Sequence, residues 1–116
     1  MKKTTRFINK AKYSGGSEAL KTFVKKNLTY PKQALIQKIE GTVFLSYEVS
    51  EKGKVHNISI INGLGYGCDI EAKRIVSLLD YPKVKNRGLK VNTKFRIKIH
   101  FKLPNKNPIK INYIVK

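Results

Sequence analysis

Acidic residues are scarce in this chain. Seven Asp and Glu stand against 25 Lys and Arg among 116 residues, and the formal net charge is +18. Carboxylates this few and this scattered supply no paired acid and base for hydrolytic chemistry. Cysteine is scarcer still: Cys68 stands alone, which excludes an internal disulfide framework and any cysteine-built zinc site. No apolar run approaches the roughly 20 residues that a membrane-spanning helix needs. The basic residues 1–16 lack the apolar core of a secretory signal. What the chain does hold is 41% hydrophobic residues, enough for a core and too many for a solvated tail. The length fits one domain. A strongly basic single domain is expected, and a charge of this size raises nucleic acid as a partner.

The charge is unevenly placed. All seven acids lie between Glu18 and Asp80, while the residues beyond Asp80 hold 11 basic side chains and no acid. Lys94, Arg96, Lys98 and Lys102, with His100 filling the gap, alternate with Phe95, Ile97, Ile99, Phe101 and Leu103. A period of two is that of a strand with one buried and one polar face. Two readings of the polar face stay open: a solvated sheet surface, or a surface for phosphate, lipid headgroups or an acidic partner.

Along the chain, residues 1–13 read as a basic, loose terminus. Ser17 reads as the N-cap of a helix over 18–27, with Ala19, Leu20, Phe23 and Val24 at helical spacing. Pro31 starts a second helix reaching about residue 39 and ended by Gly41. Residues 42–49 alternate, with Val43, Leu45, Tyr47 and Val49 on one face. Residues 50–53 form a hairpin loop with Gly53 available for positive φ. The return strand, 54–61, breaks parity near Asn57 and predicts a bulge there. After a glycine-rich loop, Asp69 reads as the cap of a helix over 70–79, whose stripe is Ala72, Ile75, Val76 and Leu79. The basic strand follows over about 91–103. Ile109, Ile111, Tyr113 and Val115 then alternate after a turn at 104–108, a candidate last strand. The sum is a small α+β fold: an antiparallel sheet of three to four strands with helices packed on one face.

Catalytic motifs do not assemble. Gly63, Gly65 and Gly67 lie between strand and helix, but Cys68 stands where a dinucleotide loop needs its third glycine. Cys68 opens a helix without a neighbouring base or resolving cysteine, and reads as a small buried apolar residue. His56 and His100 are too far apart for a local metal motif. No cofactor and no enzymatic role are expected.

A family pattern is present nonetheless. Its pieces are Gly15, Gly16, Ser17, Glu18, Ala19 and Leu20; Phe23; Asn27 through Pro31; Ala34; and Ile39, Glu40, Gly41, Thr42 and Val43. It continues through Val49, Gly53, Lys54 and Val55, then Gly65, Gly67, Cys68 and Asp69 with Glu71, Ala72, Arg74, Ile75 and Val76. It closes on Pro82, Gly88, Val91 and the run Ile99 to Leu103. In this order and spacing, over about residues 13–103, the chain resembles the C-terminal domain of TonB-type energy transducers in their Bacteroidetes form. The resemblance implies residues 14–103 as the domain, 1–13 as a flexible basic terminus, and 104–116 as an extension.

That family's role is mechanical. The resemblance implies a periplasmic domain that binds the TonB box of an outer-membrane TonB-dependent transporter. The box adds as a strand to a sheet edge, and pulling driven by an inner-membrane motor then opens the transporter. Carried over by position, the capturing strand is Asn92, Thr93, Lys94, Phe95, Arg96, Ile97, Lys98, Ile99, His100, Phe101, Lys102 and Leu103. Thr29, Tyr30 and Pro31 correspond to the receptor-proximal segment, with Tyr30 equally readable as an aromatic staple over the helix start. The motor complex becomes a partner only through an anchor upstream. No signal or anchor is present in this sequence, so a cytoplasmic location is expected only if the chain is complete, and the periplasm if it is an excised domain. A homodimer is compatible with an exposed edge. The family's tryptophan near the end of the last helix is replaced here by Tyr81 and Pro82, and its proline before the Ile-x-Phe segment by Lys98. If residues 109–115 fold back on the basic strand they cover the capturing edge, and then either this tail moves or the partner binds the tail's outer edge. Two other functions stand beside this one: a basic module binding nucleic acid or another polyanion, and a regulatory interaction domain.

Overall fold

Val43, Leu45, Tyr47 and Val49 are all buried, while Phe44, Ser46 and Glu48 between them are half-buried. That alternation makes a strand with one dry face, and it runs through the centre of the sheet. The computed structural model describes residues 10–86 and 90–103. Among them the elements are α1 (Gly16–Asn27), α2 (Lys32–Ile36), β1 (Gly41–Val49), β2 (Val55–Asn62), α3 (Cys68–Ser77) and β3 (Thr93–Phe101). The sheet order is β2-β1-β3 with both pairings antiparallel. Helices cover one face, as the alternation requires. The candidate strand at 109–115 lies outside the described residues.

The core joins the dry face of β1 to Ile99 and Phe101 of β3 and to Cys68, Ala72, Ile75 and Val76 of α3. Leu79 and Tyr81 extend it past the end of α3. Tyr81 lies beyond the end of α3 and packs back into the core. Its ring stacks on Phe95 at 5.3 Å between centroids, and its hydroxyl hydrogen-bonds that of Tyr47 at 2.7 Å. Burial, followed by this hydrogen bond, pushes the Tyr47 phenol far above its ordinary pKa. The pair satisfies two hydroxyls that the core would otherwise strand, which is what makes them tolerable there. Residues at the end of the basic N-terminal stretch also reach the core. Ala11 is buried, its N–H donates to Thr93 Oγ1 at 3.0 Å, and the Tyr13 ring meets Tyr81 at 5.4 Å.

Three helix boundaries differ from expectation, each for a backbone reason. Ser17 does not cap α1. Gly15 and Gly16 take φ of 90° and 77°, and Gly16 N–H closes a turn onto the Tyr13 carbonyl at 2.9 Å. The second helix ends short of residue 39. Lys38 adopts φ 57°, its N–H bonds the Leu35 carbonyl and Ile39 N–H bonds the Ala34 carbonyl, a Schellman close that stops α2 at Ile36. Gly41 therefore opens β1 and does not end α2. Asp69 does not cap α3 either: its Oδ1 accepts the N–H of Leu64 at 2.8 Å and of Gly65 at 3.3 Å, and Gly67 at φ 86° takes the cap position.

The expected bulge is present. Ser46 faces Ser59 and Glu48 faces His56, so Tyr47 spans Asn57 and Ile58, with Asn57 at φ 52°. A second shift lies between Leu45 opposite Ile60 and Phe44 opposite Asn62. The register of β1 with β3 has no shift, running from Gly41 opposite Phe101 to Val49 opposite Thr93.

Gly53, at φ 82°, closes the β1–β2 turn with its N–H on the Ser50 carbonyl. A Cβ there would lie 2.0 Å from the Tyr81 carbonyl oxygen, whereas one at Gly65, at φ 74°, would meet open space. Gly65→Ala is expected to cost about 1 kcal/mol of backbone strain. Gly53→Ala is expected to cost at least about 2 kcal/mol more, because the hairpin and the Tyr81 segment must part. Urea unfolding midpoints of the two variants measure the difference.

Candidate functional site

β3 presents its two faces and one of its edges differently. Ile99 and Phe101 are buried, Phe95 and Ile97 are half-buried, and Lys94, Arg96, Lys98, His100 and Lys102 are exposed. One edge pairs with β1, and among the described residues no strand pairs with the other. Asn92, Lys102 and Leu103, expected within the strand, lie outside it. The ladder has no further partner there, because β1 begins at Gly41 and ends at Val49. Leu103 N–H turns instead to Glu40 Oε1 at 3.0 Å.

The open face of the sheet carries the cations. His100 Nδ1 lies 2.8 Å from Thr42 Oγ1, and Lys98 Nζ sits 5.8 Å from the centroid of the Phe44 ring. Arg96 stands opposite Ser46 and Lys94 opposite Glu48. Glu48 itself takes Asn57 Nδ2 at 3.3 Å and lies 4.0 Å from His56 Nε2. Among the described residues, Lys94, Arg96, Lys98 and Lys102 join no ion pair.

On the other side of the free edge a groove runs between β3 and α1. Leu20, Val24, Leu28 and Tyr30 line it from one wall and Ile97 from the other, together with Glu18, Lys21 and Lys25 on the α1 side and Arg96, Lys98, His100 and Lys102 on the β3 side. α1 buries no residue fully. Its apolar stripe is half-buried and stays open toward the groove. Two contacts hold the end of α1 in place: Thr29 N–H donates to Glu71 Oε2 at 2.7 Å, and Arg74 Nη2 donates to the Asn27 carbonyl at 2.8 Å. Arg74 also forms a two-point bond with Glu71, which is the first cause of its raised pKa.

Thr29, Tyr30 and Pro31 are thus built into the fold. The Tyr30 ring meets Phe101 edge-on at 5.7 Å and its hydroxyl donates to the Ile39 carbonyl. Tyr30 is 5% exposed and packs against β3. Pro31 precedes α2 and faces Gly67. Cys68 is fully buried, and burial, followed by the nearby Asp69 charge, pushes its thiol pKa up and keeps it protonated. Among the described residues no cluster of His, Cys, Asp and Glu could hold a metal, and no helix is long and apolar enough to cross a membrane. Sequence reading placed Leu20 and Val24 at helical spacing and did not point to the groove. The signal was there: these two and Leu28 recur at four-residue intervals on a helix otherwise rich in lysine.

The family model described as the Gram-negative bacterial TonB protein C-terminal matches residues 26–103, more than half of the chain. The chain belongs to the TonB C-terminal domain family. The solution structure of the TonB C-terminal domain of Helicobacter pylori is 24% identical to it, with a TM-score of 0.49, covering 79% of this chain and 91% of that one. No curated protein matches. A TonB C-terminal domain is a protein-interaction domain of transport systems in the periplasm of Gram-negative bacteria, and not an enzyme. The matched span begins at Lys26, so Leu20 and Val24 of the groove lie ahead of it.

Glu71 is 11% exposed at its side chain and joins α3 to the α1 end, whereas Glu18 is 87% exposed beside Lys21 at 3.9 Å. Glu71→Ala is expected to lower stability by about 1–3 kcal/mol by orphaning the Thr29 N–H and the Arg74 guanidinium. Glu18→Ala should leave stability within about 0.5 kcal/mol. Chemical denaturation of both variants checks this.

Proposed function

We propose that this TonB C-terminal domain, residues 14–103, captures a short extended segment of an outer-membrane transporter, a TonB box, as an added strand along β3. Pull is then passed through the domain from an inner-membrane motor by a segment outside it. One observation carries this reading: β3 is nine residues in unbroken register on β1 and has an unpaired outer edge among the described residues. Such an edge offers a row of backbone donors and acceptors to any extended chain. β2, the other edge strand, is shifted twice in register, and bulges twist an edge away from pairing. β3 is therefore the better template.

The arrangement also suits force. β3 is zipped residue by residue to β1, and β1 is fixed in the core. A load directed along an added strand falls on its whole ladder at once and passes into the most buried element of the domain.

The unpaired cations of β3 favour a second reading, a polyanion surface, and one experiment separates the two. Amide hydrogen exchange is followed across residues 93–101 with and without a TonB-box peptide. Strand capture predicts that alternate β3 amides, those pointing away from β1, slow by about ten-fold or more when the peptide binds, with modest salt dependence. Unchanged β3 exchange, with single- or double-stranded nucleic acid bound along a steep salt slope, would overturn capture in favour of the polyanion reading.

A further inference from the structure

Resting on that capture reading, we infer that the captured segment has a definite pattern: an acidic residue at every second position, alternating with apolar ones. A strand laid along β3 sends successive side chains to opposite faces of the sheet. On one face they lie over the groove, whose apolar part is Leu20, Val24, Leu28 and Ile97 and suits apolar side chains. On the other they extend the open face beside Lys94, Arg96 and Lys98, cations that join no ion pair among the described residues. Side chains directly across a ladder favour opposite charge and penalise like charge.

Arg96 is the centre of this recognition. It lies mid-strand opposite Ser46, a residue with no charge to pair with it, and a guanidinium grips a carboxylate at two points where a lysine cannot. On the far rim Lys25 repeats the same sign, while Lys21 stands 3.9 Å from Glu18. The chain's own C-terminal residues are poor occupants by charge: residues 105–116 carry Lys106, Lys110 and Lys116 and no acid. An acidic partner complements both rims.

Short peptides alternating valine with glutamate, threonine or lysine test this on the full chain, read by fluorescence anisotropy and by β3 amide exchange. The glutamate peptide is expected to bind about ten-fold tighter than the threonine peptide, and the lysine peptide weakest. Arg96→Gln with Lys98→Gln should erase the advantage of glutamate over threonine and leave threonine-peptide affinity unchanged. Val24→Ser should weaken the glutamate and threonine peptides alike. Equal affinity for glutamate and threonine peptides, with β3 amides still protected, would overturn the acidic pattern and leave capture standing. Failure of every peptide to protect β3 would instead remove the capture reading beneath it. Equal binding of a peptide with its glutamates in one block would show an unpatterned polyanion surface and overturn the pattern. A synthetic peptide of residues 105–116 binding as tightly as the glutamate peptide would make the chain's own segment the occupant, with the same consequence.

Discussion

β1 is paired on both sides, and everything else in the domain depends on that. Its inward residues, Val43, Leu45, Tyr47 and Val49, are at most 2% exposed. A slip of one residue would turn all four out to solvent, so the register is held by the hydrophobic effect as well as by the ladder. β2 reaches β1 through a short hairpin and accommodates its mismatch with two bulges. β3 arrives from far along the chain and pairs without one. The two edges differ: one is shifted twice in register, and the other is straight and, among the described residues, unpaired.

Keeping an edge available is hazardous, and charge is the control. A long, regular, unpaired strand invites self-association. In β3 every outward position from Lys94 to His100 is Lys, Arg or His, so two copies meeting edge to edge would set cation beside cation. The same charges that refuse a second β3 would welcome an acidic strand. On the capture reading proposed above, the charge of β3 would serve discrimination between strands.

The α+β layout, the bulge at Asn57 and the alternation of β3 were legible in the sequence, because each is a local periodicity imposed by burial on one face. What was not legible depends on meetings between distant residues. Ser17 and Asp69 are residue types that cap helices, yet glycines with left-handed backbone took both positions, and Asp69 was drawn to the loop amides of Leu64 and Gly65. Gly41 looked like a helix end until Lys38 adopted the left-handed turn itself. Tyr81 looked like a helix breaker, and its hydroxyl found Tyr47 in the core. The groove escaped notice for a related reason. The spacing of Leu20, Val24 and Leu28 says only that one face is apolar, and whether that face is sealed or left open is decided by where β3 stops and how far α1 stands from it.

Cross-strand proton contacts in the complex test the central claim most directly. With a bound transporter segment, nuclear Overhauser effects are predicted from the segment's backbone to the β3 backbone in a regular ladder across Thr93 to Phe101, with its alternate side chains near Leu20 and Val24. Contacts confined to the side chains of Lys94, Arg96 and Lys98, with no backbone ladder, would contradict it: the domain would then hold its partner by charge across a face and not by a strand along an edge.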